Sequence, residues 1–291
     1  MGENVRLRIV AAFVVLAAAA ALAQSNGEQA AVQKGFVASA SFDGSFDSSG
    51  HVMDLGTSAG YRFSRHLQAD LGVPFYFLSS STSGTATGVG DAALALRLLF
   101  GNTSIHYTTS LTTFLPTGNQ TLGLSTGRAM FDWSNQLDRD FGRVTPRLDI
   151  GVADTVVDSR HFIRPFTTLG YNAHVEGGAS FDLFKHVSVE GSVYDILPWG
   201  TQKMYSRTLR PGAAGNPNPQ HGRAFEGSHF TQGGPSLTSD NGVSAGLDIT
   251  PAPCFDLYGG YTRSVKYALD EVSFGIGLNI GQMMRQNGCK K

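Results

Sequence analysis

The sequence predicts an all-β fold, namely a transmembrane, antiparallel, up-and-down β-barrel of about twelve strands. Three observations support this prediction. Apolar and polar residues alternate with a period of two in one segment after another. The links between these segments alternate between tight turns and longer, more polar loops. A predicted export signal precedes the first of them, so we expect the chain to leave the cytoplasm.

The alternation is clearest over residues 91–115. Every second residue from Leu94 to Phe100 is apolar, whereas the residues between them include Arg97. After a turn at Gly101-Asn102 the same pattern resumes. Because successive side chains of a strand point to opposite faces, this stretch predicts a β-hairpin with one apolar and one polar face.

The same pattern recurs along the chain. The second strand, for example, places Asp54 and Arg62 on one parity, and Leu55 and Phe63 on the other. The predicted strands, in order, cover residues 36–43, 52–63, 67–77, 91–100, 104–115, 130–138, 143–153, 168–184, 186–195, 242–250, 255–263 and 271–280.

The links between these strands differ in length on the two sides of the predicted barrel. The tight links are residues 64–66, 101–103, 139–142, 185 and 251–254. The longer ones are residues 44–51, 78–88, 116–129, 155–167, 196–241 and 264–270. Short periplasmic turns, long external loops and an even strand number are typical of outer-membrane barrels. We therefore expect the short links in the periplasm and the long ones outside the cell.

The two faces indicate the surroundings. A soluble sandwich would expose its polar face but would not need so wide an apolar face, whereas a closed barrel in lipid needs apolar residues all round its exterior. Aromatic residues on or near that exterior are Tyr61, Phe63, Phe75, Phe77, Phe100, Trp133, Tyr261 and Phe274. The residues predicted to line the lumen are Asp54, Arg62, Asp70, Asp91, Arg97, His106, Asp132, Arg147, Asp149, His174, Glu176, Asp182, Glu190 and Asp248.

The N-terminus has the pattern of a signal peptide. Arg6 and Arg8 precede an apolar run at residues 9–20, which is followed by a small-residue cleavage site at 21–23. We therefore divide the chain into a signal peptide (1–23), a short segment (24–33), a barrel (34–281) and a periplasmic tail (282–291).

Composition excludes several classes of protein. Charged residues make up 15% of the chain and the net charge is −1, so a nucleic-acid partner is not expected. The 36 glycines fit a fold rich in turns. The two cysteines are too few for a disulfide scaffold. Cys254 and Cys289 both fall on the predicted periplasmic side, an oxidising compartment, so we predict that they form a disulfide.

Three short motifs resemble a known family. They are GVGD at Gly88–Asp91, FLPTGN at Phe114–Asn119 and RPF at Arg164–Phe166. Together they resemble the outer-membrane barrels called phenol meta-pathway degradation proteins, whose members are usually labelled transporters. The resemblance implies passage of hydrophobic or aromatic small molecules. The partners predicted for an outer-membrane barrel are outer-membrane lipid, lipopolysaccharide, the barrel-assembly machinery and a small-molecule solute. Glycine and proline at such strand–loop junctions ordinarily serve the turn, so we expect a structural role for them.

An enzyme is the main rival from another class. A membrane phospholipase would need a serine and a histidine close together on the outer face. Here His106, His174 and His186 have the inner parity, and no G-x-S-x-G sequence occurs. We therefore predict no catalytic residues and no cofactor. We also predict no metal site, since His221 and His229 lie in a loop without other ligands at suitable spacing.

The long loop at residues 196–241 permits two interpretations. It carries the basic residues Lys203, Arg207, Arg210 and Arg223. It is either a surface loop that touches lipopolysaccharide phosphates, or a loop folded over or into the pore that sets a basic constriction above an acidic lumen. The predicted function is a channel or transporter for small molecules. The alternative is a structural or surface-interaction barrel without an open pore.

Overall fold

The structure is a computed structural model. It describes residues 34–47, 50–81, 83–102, 104–159, 161–212, 224–252 and 254–280. In these ranges no helix is long and apolar enough to span a membrane. The predicted signal peptide, the segment 24–33 and the tail 282–291 lie outside the described residues.

The described chain is built almost entirely of strands. They are β1 Gly35–Asp47, β2 Gly50–Arg62, β3 Leu67–Ser80, β4 Gly84–Val89, β5 Ala92–Gly101, β6 Ile105–Leu115, β7 Met130–Arg139, β8 Val144–Ala153, β9 Phe166–Leu169, β10 Asn172–Phe184, β11 Val187–Pro198, β12 Gln202–Ser206, β13 Phe230–Gly233, β14 Asp240–Ala252, β15 Phe255–Ser264 and β16 Leu269–Leu278. Two single-turn 3₁₀ helices lie at Gln120–Leu122 and Pro235–Leu237.

Thirteen of these strands form one closed antiparallel sheet. Strands of this sheet that follow one another along the chain pair, apart from β4 and β5, and β1 also pairs with β16, with Ala40 opposite Leu278. β4 and β5 both pair with β3, β4 with its second half and β5 with its first half, so together they make one spanning strand. The predicted closed barrel of twelve antiparallel strands is therefore confirmed.

The break between β4 and β5 is where two of the sequence motifs meet. The Thr117 hydroxyl donates to the Gly90 carbonyl (3.0 Å) and accepts the Ala92 amide (2.8 Å). The Gly118 amide donates to the Asp91 carboxylate at 3.0 Å. A Cβ at Gly90 would lie 2.5 Å from the ring of Tyr76, so the wall permits only glycine there without rearrangement. The motifs at Gly88–Asp91 and Phe114–Asn119 thus form one backbone junction.

The two faces of the sheet follow the alternation. On β5, Leu94 and Leu96 are 50% and 48% exposed on the outside, whereas Ala95 between them is 6% exposed. Of the predicted outer aromatics, those exposed are Tyr61, Phe63, Phe77, Phe100, Trp133 and Tyr261. An apolar exterior on a closed sheet suits lipid, because the sheet leaves no backbone group unpaired there. The protein has the architecture of an outer-membrane β-barrel.

Several predicted boundaries were wrong. The predicted loops at 44–51 and 78–88 are mostly strand, because β1–β2 and β3–β4 extend as hairpins. The predicted strand 168–184 is two strands, β9 and β10, separated at Gly170 (φ +152°). The alternation of apolar and polar residues continues across this break because both strands are extended. The alternation cannot show that β9 pairs with β12 and not with the barrel wall.

The ends of the barrel are unequal. One end, called the short-turn end, has only tight links, at residues 63–66, 102–104, 140–143, 185–186 and 253–254. The other, called the long-loop end, carries the long connections at residues 116–129, 154–171 and 199–239. There β9, β12 and β13 form a separate three-stranded sheet. Residues 154–159 and 161–165, called the inner segment, lead from β8 into this sheet.

A first prediction concerns sidedness. In a Cys254→Ser/Cys289→Ser background, Thr85→Cys at the long-loop end should react with a membrane-impermeant maleimide on intact cells. Lys185→Cys at the short-turn end should react only after the outer membrane is permeabilised. Both positions are exposed. The reversed labelling pattern would contradict the predicted orientation, and a gel shift between unheated and boiled samples would report that each variant is folded.

A second prediction concerns the cysteines. Cys254 is buried at the short-turn end, and Cys289 lies outside the described residues. The pairing of the two stays a prediction. Peptide mapping without reductant should recover a cross-linked Cys254–Cys289 peptide that separates on reduction. Recovery of both thiols in free, alkylated form would disprove the pairing.

Candidate functional site: the lumen and the inner segment

The inner segment runs into the barrel and bonds to its wall. The Ile163 amide donates to the Glu271 carboxylate on β16 at 2.8 Å and also approaches the Ser45 hydroxyl on β1 at 3.3 Å. Ser45 and Glu271 are themselves hydrogen-bonded and buried. The Thr262 hydroxyl on β15 donates to the His161 carbonyl at 2.9 Å. These hydrogen bonds give buried backbone groups of the segment partners in the wall. Without such partners, burying these groups away from water would cost free energy.

Two consecutive side chains hold the segment in apolar clusters. Phe162 is 1% exposed and packs with residues of β9, β12 and the loop that joins β15 to β16. This first cluster contains Phe162, Phe166, Met204, Phe225, Tyr267 and Leu269. Ile163 packs with residues of β2, β3 and the 116–129 loop in a second cluster that contains Val52, Tyr76, Leu78 and Leu124. Burial of one such side chain stabilises the fold by about 1.5–3 kcal/mol.

Arg207 connects the long-loop sheet to the inner segment. Its guanidinium donates to the Asp158 carboxylate and to the Arg164 carbonyl, both at 2.7 Å. It also lies over the ring of Tyr76, 5.0 Å from the centroid. Burial would lower the pKa of Arg207, but Asp158 and the other neighbouring acidic groups outweigh it and raise that pKa above its ordinary value. The Arg207 side chain therefore stays protonated, and the carboxylate of Asp158 balances its charge.

Arg164 lies deeper in the same segment and is 4% exposed. It donates to the Val157 carbonyl at 2.7 Å, and its guanidinium lies 4.4 Å from the centroid of Phe162. Its own amide donates to Asp158 at 2.9 Å. Asp158 thus accepts from both Arg164 and Arg207, and so it organises the two arginines.

Three cavities remain around the inner segment. Cavity A, about 200 Å³, is lined in part by Asp138, Arg147, His161 and Glu190. Cavity B, about 300 Å³, is lined in part by Asp54, Tyr76, Asp91, Asp158 and Arg207. Cavity C, about 220 Å³, is lined in part by Asp132, Asp149, Arg164, His174, Glu176 and Tyr194. The lumen is thus divided by the inner segment but is not filled by it.

The structure places the sequence-predicted lumen residues as follows. Eight of them border these cavities, namely Asp54, Asp91, Asp132, Arg147, Asp149, His174, Glu176 and Glu190. Asp70 and Arg97 form an ion pair at 2.9 Å, and Arg62 donates to Gln68 at 2.9 Å. Asp248 is half-buried next to His161 and Glu190. His106 and Asp182 are more exposed, and Asp182 borders a shallow cavity around the Lys185 turn.

Some of the acidic and basic side chains in the lumen form ion pairs. Arg147 reaches Glu176 at 3.2 Å, and His106 reaches Asp138 at 3.0 Å. His174 lies 3.5 Å from Asp149. Carboxylates still outnumber cations along the wall of cavity C, so its field favours positive charge.

The three basic residues of the long loop that the structure describes do not form one constriction. Arg207 is buried and borders cavity B, and Arg210 donates to the Arg207 carbonyl at 3.0 Å. Lys203 is half-buried on β12, and Arg223 lies outside the described residues. In the described part of this loop, Arg207 is the basic residue that borders a cavity of the lumen, and the choice between the two interpretations stays a prediction.

The inner segment itself was missed as a functional element by the sequence analysis. It was predicted as an ordinary external loop. Asp158 and His161 were not singled out, and Arg164 was noted only as part of the RPF motif. The available signal was its run His161-Phe162-Ile163-Arg164-Pro165-Phe166, which is too apolar for a loop that faces water.

A third prediction tests the Arg207–Asp158 link. Arg207→Ala would leave Asp158 without its closest cation in a largely buried setting, which costs about 3 kcal/mol. We expect hydrogen exchange of residues 202–209 to accelerate accordingly. Arg210→Ala is the matched control, because Arg210 is half-exposed and its loss should change exchange little. Equal effects of the two substitutions would contradict a special role for Arg207.

Comparison with known proteins adds evidence on the fold. No protein-family model matches the chain, and no curated protein sequence matches it. Among solved structures, it is similar to the COG4313 outer membrane channel from Pseudomonas putida F1. The TM-score is 0.58 at 12% identity, over 88% of this chain and 99% of that one. The NanC porin matches with a TM-score of 0.48 at 9% identity, over 82% and 98% of the two chains. The similarity to the channel from Pseudomonas putida F1 shows that the two chains share a barrel fold.

Proposed function

We propose that this protein is an outer-membrane channel that passes small molecules through a narrow lumen lined with acidic residues. The main support for the proposal is that polar cavities are present in the lumen. Cavities lined by charged and polar side chains persist beside the inner segment, in place of the continuous apolar packing that a purely structural barrel could tolerate. The fold shared with the channel from Pseudomonas putida F1 supports the same function.

Charge selection in the proposed channel comes from the strands. Arg207 is neutralised by Asp158, so it adds little positive field at the long-loop end. Asp54 and Asp91 on the wall of cavity B, with Asp132 and Asp149 on the wall of cavity C, favour cations or neutral solutes over anions. We therefore expect a small, weakly cation-selective conductance.

The proposed solutes are hydrophobic or aromatic compounds, as the family resemblance implies. Cavity B supports this choice, because Pro74, Tyr76, Phe114, Leu124 and Met130 contribute to its lining. Its volume of about 300 Å³ is at the lower end of the range for small-molecule sites. A compact aromatic molecule that is neutral or cationic would suit both its shape and its charge.

A closed barrel without a pore is the alternative function. The cluster of Phe162, Phe166, Met204, Phe225, Tyr267 and Leu269 favours it, because this buried core covers part of the long-loop end. Such a barrel would act by its surface. Contacts with lipopolysaccharide and with the barrel-assembly machinery are predictions for either function.

A fourth prediction separates these functions in planar lipid bilayers. Wild-type protein should show small conductance steps. A variant in which residues 156–165 are replaced by a short Gly-Ser linker should conduct severalfold more, because it lacks the segment that divides the lumen. Deletion of residues 203–234, which removes β12, β13 and Arg207, should also raise conductance. If neither wild type nor variants conduct ions or pass solutes, the channel function is wrong and the closed barrel is supported.

A fifth prediction tests the origin of charge selection. Asp54→Asn combined with Asp91→Asn should lower the cation-to-anion permeability ratio by roughly twofold, because both carboxylates border cavity B. Asp140→Asn is the control, since Asp140 is exposed in a turn at the short-turn end and an amide can keep its bond from the Gly142 amide. A ratio that falls equally in the control would show that the selectivity arises outside the lumen.

A further inference from the structure

We propose that His161, Glu190 and Asp248 form a binding site for a divalent transition-metal ion, Zn²⁺ being the best match, that joins the inner segment to the barrel wall. The site goes beyond channel function, and its occupancy can be measured whether or not the barrel conducts. It also differs from the sequence-based expectation, which included no metal site.

The fold brings the three residues together from distant parts of the chain. Glu190 lies on β11 opposite Gly246, and Asp248 lies two residues further along β14, so both carboxylates are on the inner face of the wall. His161 arrives from the inner segment. One ligand atom of each residue lies within 4.8 Å of the other two. Ligand atoms around a tetrahedral Zn²⁺ lie about 3.3 Å apart, so small rotamer adjustments complete the geometry.

The wall is shaped to receive the imidazole. His161 is 9% exposed and lies edge-on to Tyr258, with 5.4 Å between the ring centroids. A Cβ at Gly260 would lie 2.7 Å from His161 Nδ1, and a Cβ at Gly246 would lie 3.1 Å from His161 Cε1. The two glycines therefore provide a recess that a larger residue on the wall would occupy.

The donor set indicates the class of ion. An imidazole nitrogen suits Zn²⁺ and its first-row neighbours better than Mg²⁺ or Ca²⁺, which prefer oxygen ligands alone. Two carboxylates balance the charge of a divalent ion. Cavity A adjoins His161 and Glu190 and gives space for the water that a three-ligand zinc site keeps in its fourth position.

A simpler explanation of this cluster is an ion pair without a metal, since His161 Nε2 directly contacts the Glu190 carboxylate. The lumen contains a suitable comparison. His174 also lies beside two carboxylates, 3.5 Å from Asp149 and 4.0 Å from Asp132. Among the residues that the structure describes, however, only the group around His161 brings three ligand atoms into mutual reach. His174 is therefore the matched control for a histidine between acids that does not form a site.

The binding experiment uses folded, tag-free, metal-free full-length protein in detergent. Zn²⁺ is added in equilibrium dialysis and the bound metal is measured by mass spectrometry. We expect wild type and His174→Gln to bind one Zn²⁺ per chain more than His161→Gln or Glu190→Gln. Co²⁺ should give visible absorption bands in wild type that are lost in His161→Gln. Equal binding by wild type and His161→Gln, or no stoichiometric binding by wild type, would overturn the site.

A second measurement tests the joining role without relying on conduction. Bound Zn²⁺ should slow hydrogen exchange of the peptide that covers residues 155–165 in wild type by up to about a hundredfold at a hundredfold excess over Kd, and chelation should reverse this. His161→Gln should show no such change. A gel shift between unheated and boiled samples reports folding of each variant. If wild type binds Zn²⁺ with unchanged exchange of this peptide, the joining role is overturned.

Discussion

The structure depends first on the need to satisfy every backbone hydrogen bond within lipid. An isolated strand edge in hydrocarbon costs several kcal/mol for each unpaired group. The pairing of β1 with β16 removes the last edge, and the remaining features follow from this closure. Once the sheet is closed, one side of every strand faces lipid and the other faces the lumen. The alternating sequence pattern then has a direct consequence, which is an apolar exterior around a polar interior.

A closed polar interior creates a second demand, because the lumen must contain either water or protein. The inner segment supplies part of that protein. Phe162 and Ile163 place their side chains in two separate apolar clusters, and Asp158 accepts from Arg164 and Arg207 in the space between them. Two buried apolar side chains at about 1.5–3 kcal/mol each outweigh any single hydrogen bond at about 1 kcal/mol. The segment is therefore retained mainly by its apolar contacts and oriented mainly by its polar ones.

The same segment relates the proposed channel to the proposed metal site. It divides the lumen into cavities whose walls are acidic, and its residue His161 meets two wall carboxylates in a glycine-lined recess. A barrel that carries such a segment can restrict passage without a change in the sheet, because the barrier is a loop held by non-covalent contacts. In the proposed channel, the strand-borne charges would set the preference among solutes, and the loop would set the width of the path.

The sequence by itself determined the fold class, the number of spanning strands and the side to which most strand residues point. These properties depend on local alternation, since a period of two is a consequence of strand geometry alone. The parity of Asp54, Asp132 and Glu176 within their strands is therefore enough to assign them to the lumen. The sequence could not determine the partner of β9, the inward course of the inner segment or the meeting of His161 with Glu190 and Asp248. Those features arise from contacts between residues far apart in the chain, and a loop has no periodicity from which its direction can be inferred. Tertiary structure decided them, because a loop enters the lumen only where the closed wall offers hydrogen-bond partners, apolar clusters and a recess of its shape.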